Sequence, residues 1–146
     1  MEAAQRPRAR ILVVDDDDPT TTLLREALSD VGYATASAPD GRAALDVAKR
    51  FQPDLILLDL LLPDLDGWAF AERYRGSARR PAPIIVMTAL SKPDVSSIAP
   101  AALLLKPFDL DDLQHAIQRV LRESLRATAP RTVGVWDDAS SGAVGG

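Results

Sequence analysis

Four short apolar runs limit what this chain can become: Ile11-Leu12-Val13-Val14, Leu55-Ile56-Leu57-Leu58, Ile84-Ile85-Val86-Met87 and Ala101 to Leu105. Each is followed by a polar or charged residue, in turn Asp15, Asp59, Thr88 and Lys106. Runs of this length, separated by amphipathic stretches, read as parallel strands covered on both faces and joined by crossover helices. The carboxyl ends of parallel strands lie along one edge of an open sheet, so the residues that follow them can meet at one place. Asp15, Asp16, Asp59 and Lys106 would then share a site. Three carboxylates around one lysine repel one another unless a hard cation sits among the oxygens, and Mg²⁺ is the usual occupant where phosphate is handled.

A length of 146 residues suits a single domain with a real core. The net charge of −4 gives no general attraction to nucleic acid, and the arginines are dispersed, so direct DNA binding is not expected. With no cysteine, disulfides and thiolate chemistry are excluded. The Arg-rich start, Met1 to Arg10, lacks the apolar segment of a signal peptide, and no run approaches the ~20 apolar residues that span a bilayer. The expectation is a soluble cytoplasmic protein without membrane attachment.

The pattern predicts about five β-α repeats. After Ile11–Val14, Asp18 is expected to cap a helix that begins at Pro19, with Leu23, Leu24, Ala27, Leu28 and Val31 on its apolar face and Gly32 at its end. A weaker strand covers Tyr33 to Ala36, and a second helix covers Asp40 to Arg50. Pro63 to Gly67 is turn chemistry, followed by a third helix with Trp68, Phe70, Ala71 and Tyr74. The last helix is capped by Asp109, carries Asp111 and Asp112 at its positive end, and lines up Leu110, Leu113, Ile117, Val120 and Leu121. Between the fourth and fifth strands only Asp94 to Ala99 separates Pro93 from Pro100, room for one or two helical turns at most. From about Thr128 the chain turns to Ala, Gly, Ser, Pro and Thr and reads as disordered, although Val133, Val135 and Trp136 leave a docked segment open.

The motifs Ile11-Leu12-Val13-Val14-Asp15-Asp16, Leu57-Leu58-Asp59 with Pro63 and Asp66-Gly67, Val86-Met87-Thr88-Ala89 and Lys106-Pro107-Phe108, in that order, resemble the receiver domain of bacterial two-component response regulators. Each motif alone is weak; together they are specific. The resemblance divides the chain into an N-terminal extension (1–9), a receiver (10–127) and a tail (128–146). It implies a flavodoxin-like, doubly wound α/β fold with a five-stranded parallel sheet, here with a shortened or irregular fourth crossover helix. It further implies a signalling protein and not an enzyme, phosphorylated on Asp59 by a sensor histidine kinase or phosphotransfer protein and dependent on Mg²⁺. Asp16 would ligate the metal directly and Asp15 through water, with Asp59 and the backbone carbonyl of Leu61 completing the set. Lys106, across an expected cis peptide bond to Pro107, and Thr88 would contact the phosphoryl oxygens. Asp17 and Asp18 are left as solvent-facing loop and helix cap.

Three departures from the family stand out. Leu103 occupies the place of the family's switch aromatic, three residues before the lysine. The short fourth crossover lacks much of the helix that many receivers use for dimerisation and output, which leaves the oligomeric state and the downstream target open. Leu61 and Leu90 lie two residues beyond Asp59 and Thr88, where apolar side chains would hinder an attacking water. A receiver-like scaffold that works without phosphorylation is the alternative. An aspartate-nucleophile phosphatase, suggested by Asp64-Leu65-Asp66-Gly67, has its paired acid in a turn after proline, a poor context. A flavin carrier of the same fold is opposed by four acids, Asp15 to Asp18, where a phosphate cradle needs hydroxyls and glycines. The only histidine, His115, has no adjacent acid and reads as a partly exposed helix residue.

Overall fold

Alternate residues of a strand point to opposite faces of a sheet, and here both sets are apolar. In the computed structural model, which describes residues 9–128, five strands form one parallel sheet: β1 (Arg10–Val14), β2 (Ala34–Ala38), β3 (Leu55–Asp59), β4 (Ile84–Thr88) and β5 (Ala102–Leu105), in the order β2-β1-β3-β4-β5. Ile11, Val13, Leu55, Leu57, Ile85 and Met87 face one side. There they pack against Leu24 and Leu28 of α1 (Asp18–Asp30) and against Leu113, Ile117 and Val120 of α4 (Leu110–Thr128). Leu12, Val14, Ile56, Leu58, Ile84 and Val86 face the other. They meet Ala44 and Ala48 of α2 (Gly41–Phe51), and Phe70 and Tyr74 of α3 (Gly67–Ser77), whose rings stack at 5.6 Å. This is the doubly wound α/β arrangement that the apolar runs implied.

Three helices start on an aspartate whose carboxylate takes up an otherwise unpaired amide: Asp40 accepts from Ala43 N–H, Asp66 from Ala69 N–H, and Asp17 from Thr20 N–H. Asp109 likewise accepts from Asp112 N–H. Each such cap is worth about 1 kcal/mol. The cap of α1 is therefore Asp17, not Asp18 as expected: Asp17 is extended and also accepts from the Thr20 hydroxyl, while Asp18 already lies in the helix. The second strand also sits later than the sequence suggested, because Ala34 to Ala38 align with Arg10 to Val14 and carry the pairing up to Ala38.

No helix separates β4 from β5. Instead an irregular strap buries Ile98 against the α2–α3 side of the sheet, with Leu90 and Val95 packed beside it. The strap is fixed to α3 by hydrogen bonds from the Trp68 indole to the Asp94 carbonyl (2.8 Å) and from the Arg75 guanidinium to the Ile98 carbonyl. Because the strap stops short of β5, Leu103 and Leu105 remain exposed on that strand's outer face. The proposed extension 1–9 and tail 128–146, with Trp136, lie almost wholly outside the described residues. Among the described residues no helix is long and apolar enough to cross a membrane.

Candidate functional site

The parallel register brings the ends of β1, β3, β4 and β5 level with one another: Val14 pairs with Leu58, Asp59 with Met87, and Thr88 with Leu105. Asp15 follows β1 directly and is almost completely buried. One of its carboxylate oxygens accepts from Asp17 N–H (3.0 Å) and the other from Lys106 Nζ (2.9 Å). Asp16 is exposed. Asp59, the last residue of β3, is buried and reaches the same ammonium at 3.3 Å. Asp15, Asp16 and Asp59 each place a carboxylate oxygen so that the three lie within 4.8 Å of one another.

Two glycines permit this crowding. A Cβ on Gly67 would stand 2.6 Å from the Asp59 carbonyl oxygen, so only glycine lets the start of α3 lie against the end of β3. Gly41 would meet the Leu65 carbonyl oxygen at 2.2 Å, and its own N–H donates to that oxygen. The loop after β3 is thus pinned at two points, and Leu65 and Leu62 are buried while Leu61 is turned outward, about half exposed.

Burial pushes the Asp59 carboxyl above the usual carboxylate range; Lys106 opposes this and Asp15 adds to it. For Lys106, burial alone would lower its affinity for a proton, but the paired carboxylates of Asp15 and Asp59 reverse that and hold it above the ordinary lysine value. One cation therefore faces three acids, and two of those acids are buried. Such an excess of hard oxygen donors suits a small divalent ion.

Thr88 is fully buried, its carbonyl accepts from Lys106 N–H (2.7 Å), and its hydroxyl accepts from Leu90 N–H (3.1 Å). Among the described residues no hydrogen bond joins that hydroxyl to Asp59 or Lys106. The Lys106–Pro107 peptide bond is cis. Leu61 contributes its N–H, 3.4 Å from Asp59 Oδ1. His115 is exposed on α4. The site's links to α3 through Trp68 and Arg75 were not readable from local pattern, because they join residues 26 and 23 positions apart.

The sequence of the response regulator receiver domain family matches residues 11–118. The chain belongs to the response regulator receiver family. It is similar to a probable transcriptional regulator, ycf27, of Porphyridium aerugineum, with 37% identity over 128 residues covering 84% of this chain and 52% of that protein. The chain thus spans about half the length of that relative. Sporulation initiation phosphotransferase F of Bacillus subtilis is 33% identical over 116 residues, which cover 77% of this chain and 93% of the relative. Among solved structures, response regulator protein TrrA of Thermotoga maritima, in complex with Mg²⁺ and BeF, is 34% identical with a TM-score of 0.68, covering 76% of this chain and 97% of that one. Residues 11–118 form a receiver, a two-component signalling module, and the Asp15, Asp16 and Asp59 cluster is the acidic triad typical of Mg²⁺-binding receivers.

Proposed function

We propose that this receiver accepts a phosphoryl group on Asp59 from the phosphohistidine of a sensor kinase or phosphotransfer protein and passes the signal on through protein contacts. The observation that carries the reading is the meeting of three carboxylates and the Lys106 ammonium at one sheet edge, contributed by residues up to 91 positions apart. A helix cap or surface ion pair would not require that convergence.

In the transfer, an Asp59 carboxylate oxygen attacks phosphorus, an O–P bond forms, and the P–N bond to the donor histidine breaks with its electron pair left on the ring. Asp16, Asp59 and the Leu61 carbonyl, with Asp15 through water, would hold Mg²⁺, which when bound would supply positive charge against the phosphoryl oxygens. Lys106 would pair with one of those oxygens as a compact point charge. Thr88 would donate its hydroxyl to another. Leu61 and Leu90 flank the site as apolar groups, and replacing either with a small polar residue should speed loss of the phosphate; an unchanged rate would remove them from the account. Work in the cytoplasm, where a kinase can be charged by nucleotide, fits this chemistry.

The unphosphorylated-scaffold reading keeps two observations in its favour, the exposed Leu103 where the family's aromatic would stand and the irregular strap in place of a fourth crossover helix. Intact mass after incubation with Mg²⁺ and acetyl phosphate separates the two. A single phosphate on the wild type, absent from Asp59→Asn and from a metal-free control, is the expected result. Failure of both acetyl phosphate and a kinase panel to modify a chain that binds Mg²⁺ would favour the scaffold.

A further inference from the structure

Two loops flank the site, one after Asp59 and one after Thr88, and the hydrogen bond from Trp68 to Asp94 closes their near ends into a ring. On the first side, α3 is pressed against the phosphoacceptor strand: Gly67 N–H donates to the Leu60 carbonyl (2.9 Å), and its Cα leaves no room for a methyl beside the Asp59 carbonyl. Trp68 is the next residue. Its indole N–H crosses to the carbonyl of Asp94 in the β4–β5 strap. From Asp94 the chain runs back through Pro93 to Leu90, whose N–H is held by the Thr88 hydroxyl.

The geometry points to Trp68 as a positioning residue that couples Thr88 to α3, in the place of an aromatic switch on β5. The inference rests on Asp59 being the phosphorylated residue. Thr88 cannot turn its oxygen toward a new phosphoryl group and keep its present alignment with Leu90 N–H. Releasing Leu90 frees the first half of the strap, and the Asp94 carbonyl then leaves the indole.

The second half of the strap is anchored independently. Ile98 is 1% exposed, its carbonyl accepts from Arg75, and Ala101 N–H donates to the Ile84 carbonyl at 2.8 Å. Ala99 has φ 47°, a left-handed turn that redirects the chain into β5. Movement is therefore confined to Leu90–Asp94, with the surface that changes lying on α3 and the strap. Leu103, with no ring to swing, is not needed for it.

The test uses the full chain with Trp136→Phe, so that Trp68 supplies the only indole signal. Intact mass first establishes how much protein carries phosphate after Mg²⁺ and acetyl phosphate. In phosphorylated protein the Trp68 indole N–H resonance should shift, and amide exchange should accelerate in residues 90–94 but not in 95–101. Thr88→Val, close in shape but without the hydroxyl, loses a phosphoryl contact and should take phosphate more slowly; compared with the parent at equal phosphate occupancy by intact mass, it should show no phosphate-dependent change at Trp68. Trp68→Phe, which keeps a ring and loses the donor, should exchange fast in 90–94 before any phosphate is added. An indole signal unmoved in fully phosphorylated protein, or moved equally in phosphorylated Thr88→Val, overturns the coupling while leaving the phosphorylation intact. Absence of any adduct with acetyl phosphate and with a kinase panel removes both this inference and the reading beneath it.

Discussion

The sheet has a tightly bound half and a loosely covered one, and the site draws on both. β1 and β3 are sealed on each face, and the loops after them are fixed by Asp17, by the Gly41 and Gly67 contacts, and by buried Leu60 and Leu65. β5 has α4 on one face only, and its exposed Leu103 and Leu105 alternate with half-buried Ala102 and Leu104. The three carboxylates come from the tight half. Lys106 follows β5, and Thr88 sits where β4 hands over to the strap. Placing acids on the rigid side holds a repulsive cluster in one geometry, while the groups that would answer a phosphoryl group lie beside the part of the fold with least covering it.

The contrast predicts that substitutions which disturb packing cost more on the tight side. Phe70→Ala removes a fully buried ring stacked on Tyr74 and should lower stability by about 4 kcal/mol in urea titrations. Gly67→Ala should cost about 3 kcal/mol, because the added methyl meets backbone and not a yielding side chain, and it should weaken Mg²⁺ binding as Asp59 is displaced. Ile98→Ala should cost only about 2 kcal/mol, the low end for a buried aliphatic side chain, because an irregular strap can close in on the gap where a packed helix cannot. A loss at Ile98 equal to that at Phe70 would show that the strap is as rigid as α3.

The tight half was also the more legible in sequence. Continuous apolar runs and acids at their ends were enough to place β1, β3 and β4, the two-sided sheet, and the convergence of Asp15, Asp59 and Lys106. Asp109 was legible as a helix cap, whereas Asp40 read as the first residue of its helix and Asp66 as turn chemistry, and the structure makes both of them caps. The α1 cap was misread because four adjacent acids look alike, and only the reach of Asp17 to Thr20 distinguishes them. The prolines at 93 and 100 announced a short crossover, but nothing local announced that Trp68 and Arg75 would hold it, since a long-range bond to a backbone carbonyl leaves no mark on composition.

Charge within the site gives a smaller effect of opposite sign. The folded state holds a proton on Asp59 more tightly than the unfolded chain does, chiefly through burial. Stability contributed by the neutral carboxyl is present at acid pH and lost as pH rises through the folded value, so at neutral pH the ionised group is a net cost. Asp59→Asn should therefore stabilise the metal-free protein at pH 7.5, with the advantage shrinking as pH falls toward the carboxylate range. Added Mg²⁺ should raise the melting temperature of the wild type and not that of Asp59→Asn. A variant less stable than wild type at neutral pH would mean that the Lys106 pairing outweighs burial.

The smallest expected effect lies on the open strand. Leu103 and Leu105 are 40% and 46% exposed, so much of each side chain is already in water and its removal recovers little of the transfer energy that a buried leucine supplies. Thr is β-branched and suits a half-covered strand, which offsets part of the lost contact. Leu103→Thr and Leu105→Thr should each change stability by no more than about 0.5 kcal/mol and leave phosphorylation by acetyl phosphate unchanged. A loss of about 2 kcal/mol in either would be on the scale of a buried aliphatic deletion and would mean that something covers this face in solution. The loose half would then be loose only among residues 9–128, and a concentration series would decide the source: a cost that grows on dilution points to a second chain, and one that does not points to a segment of the same chain.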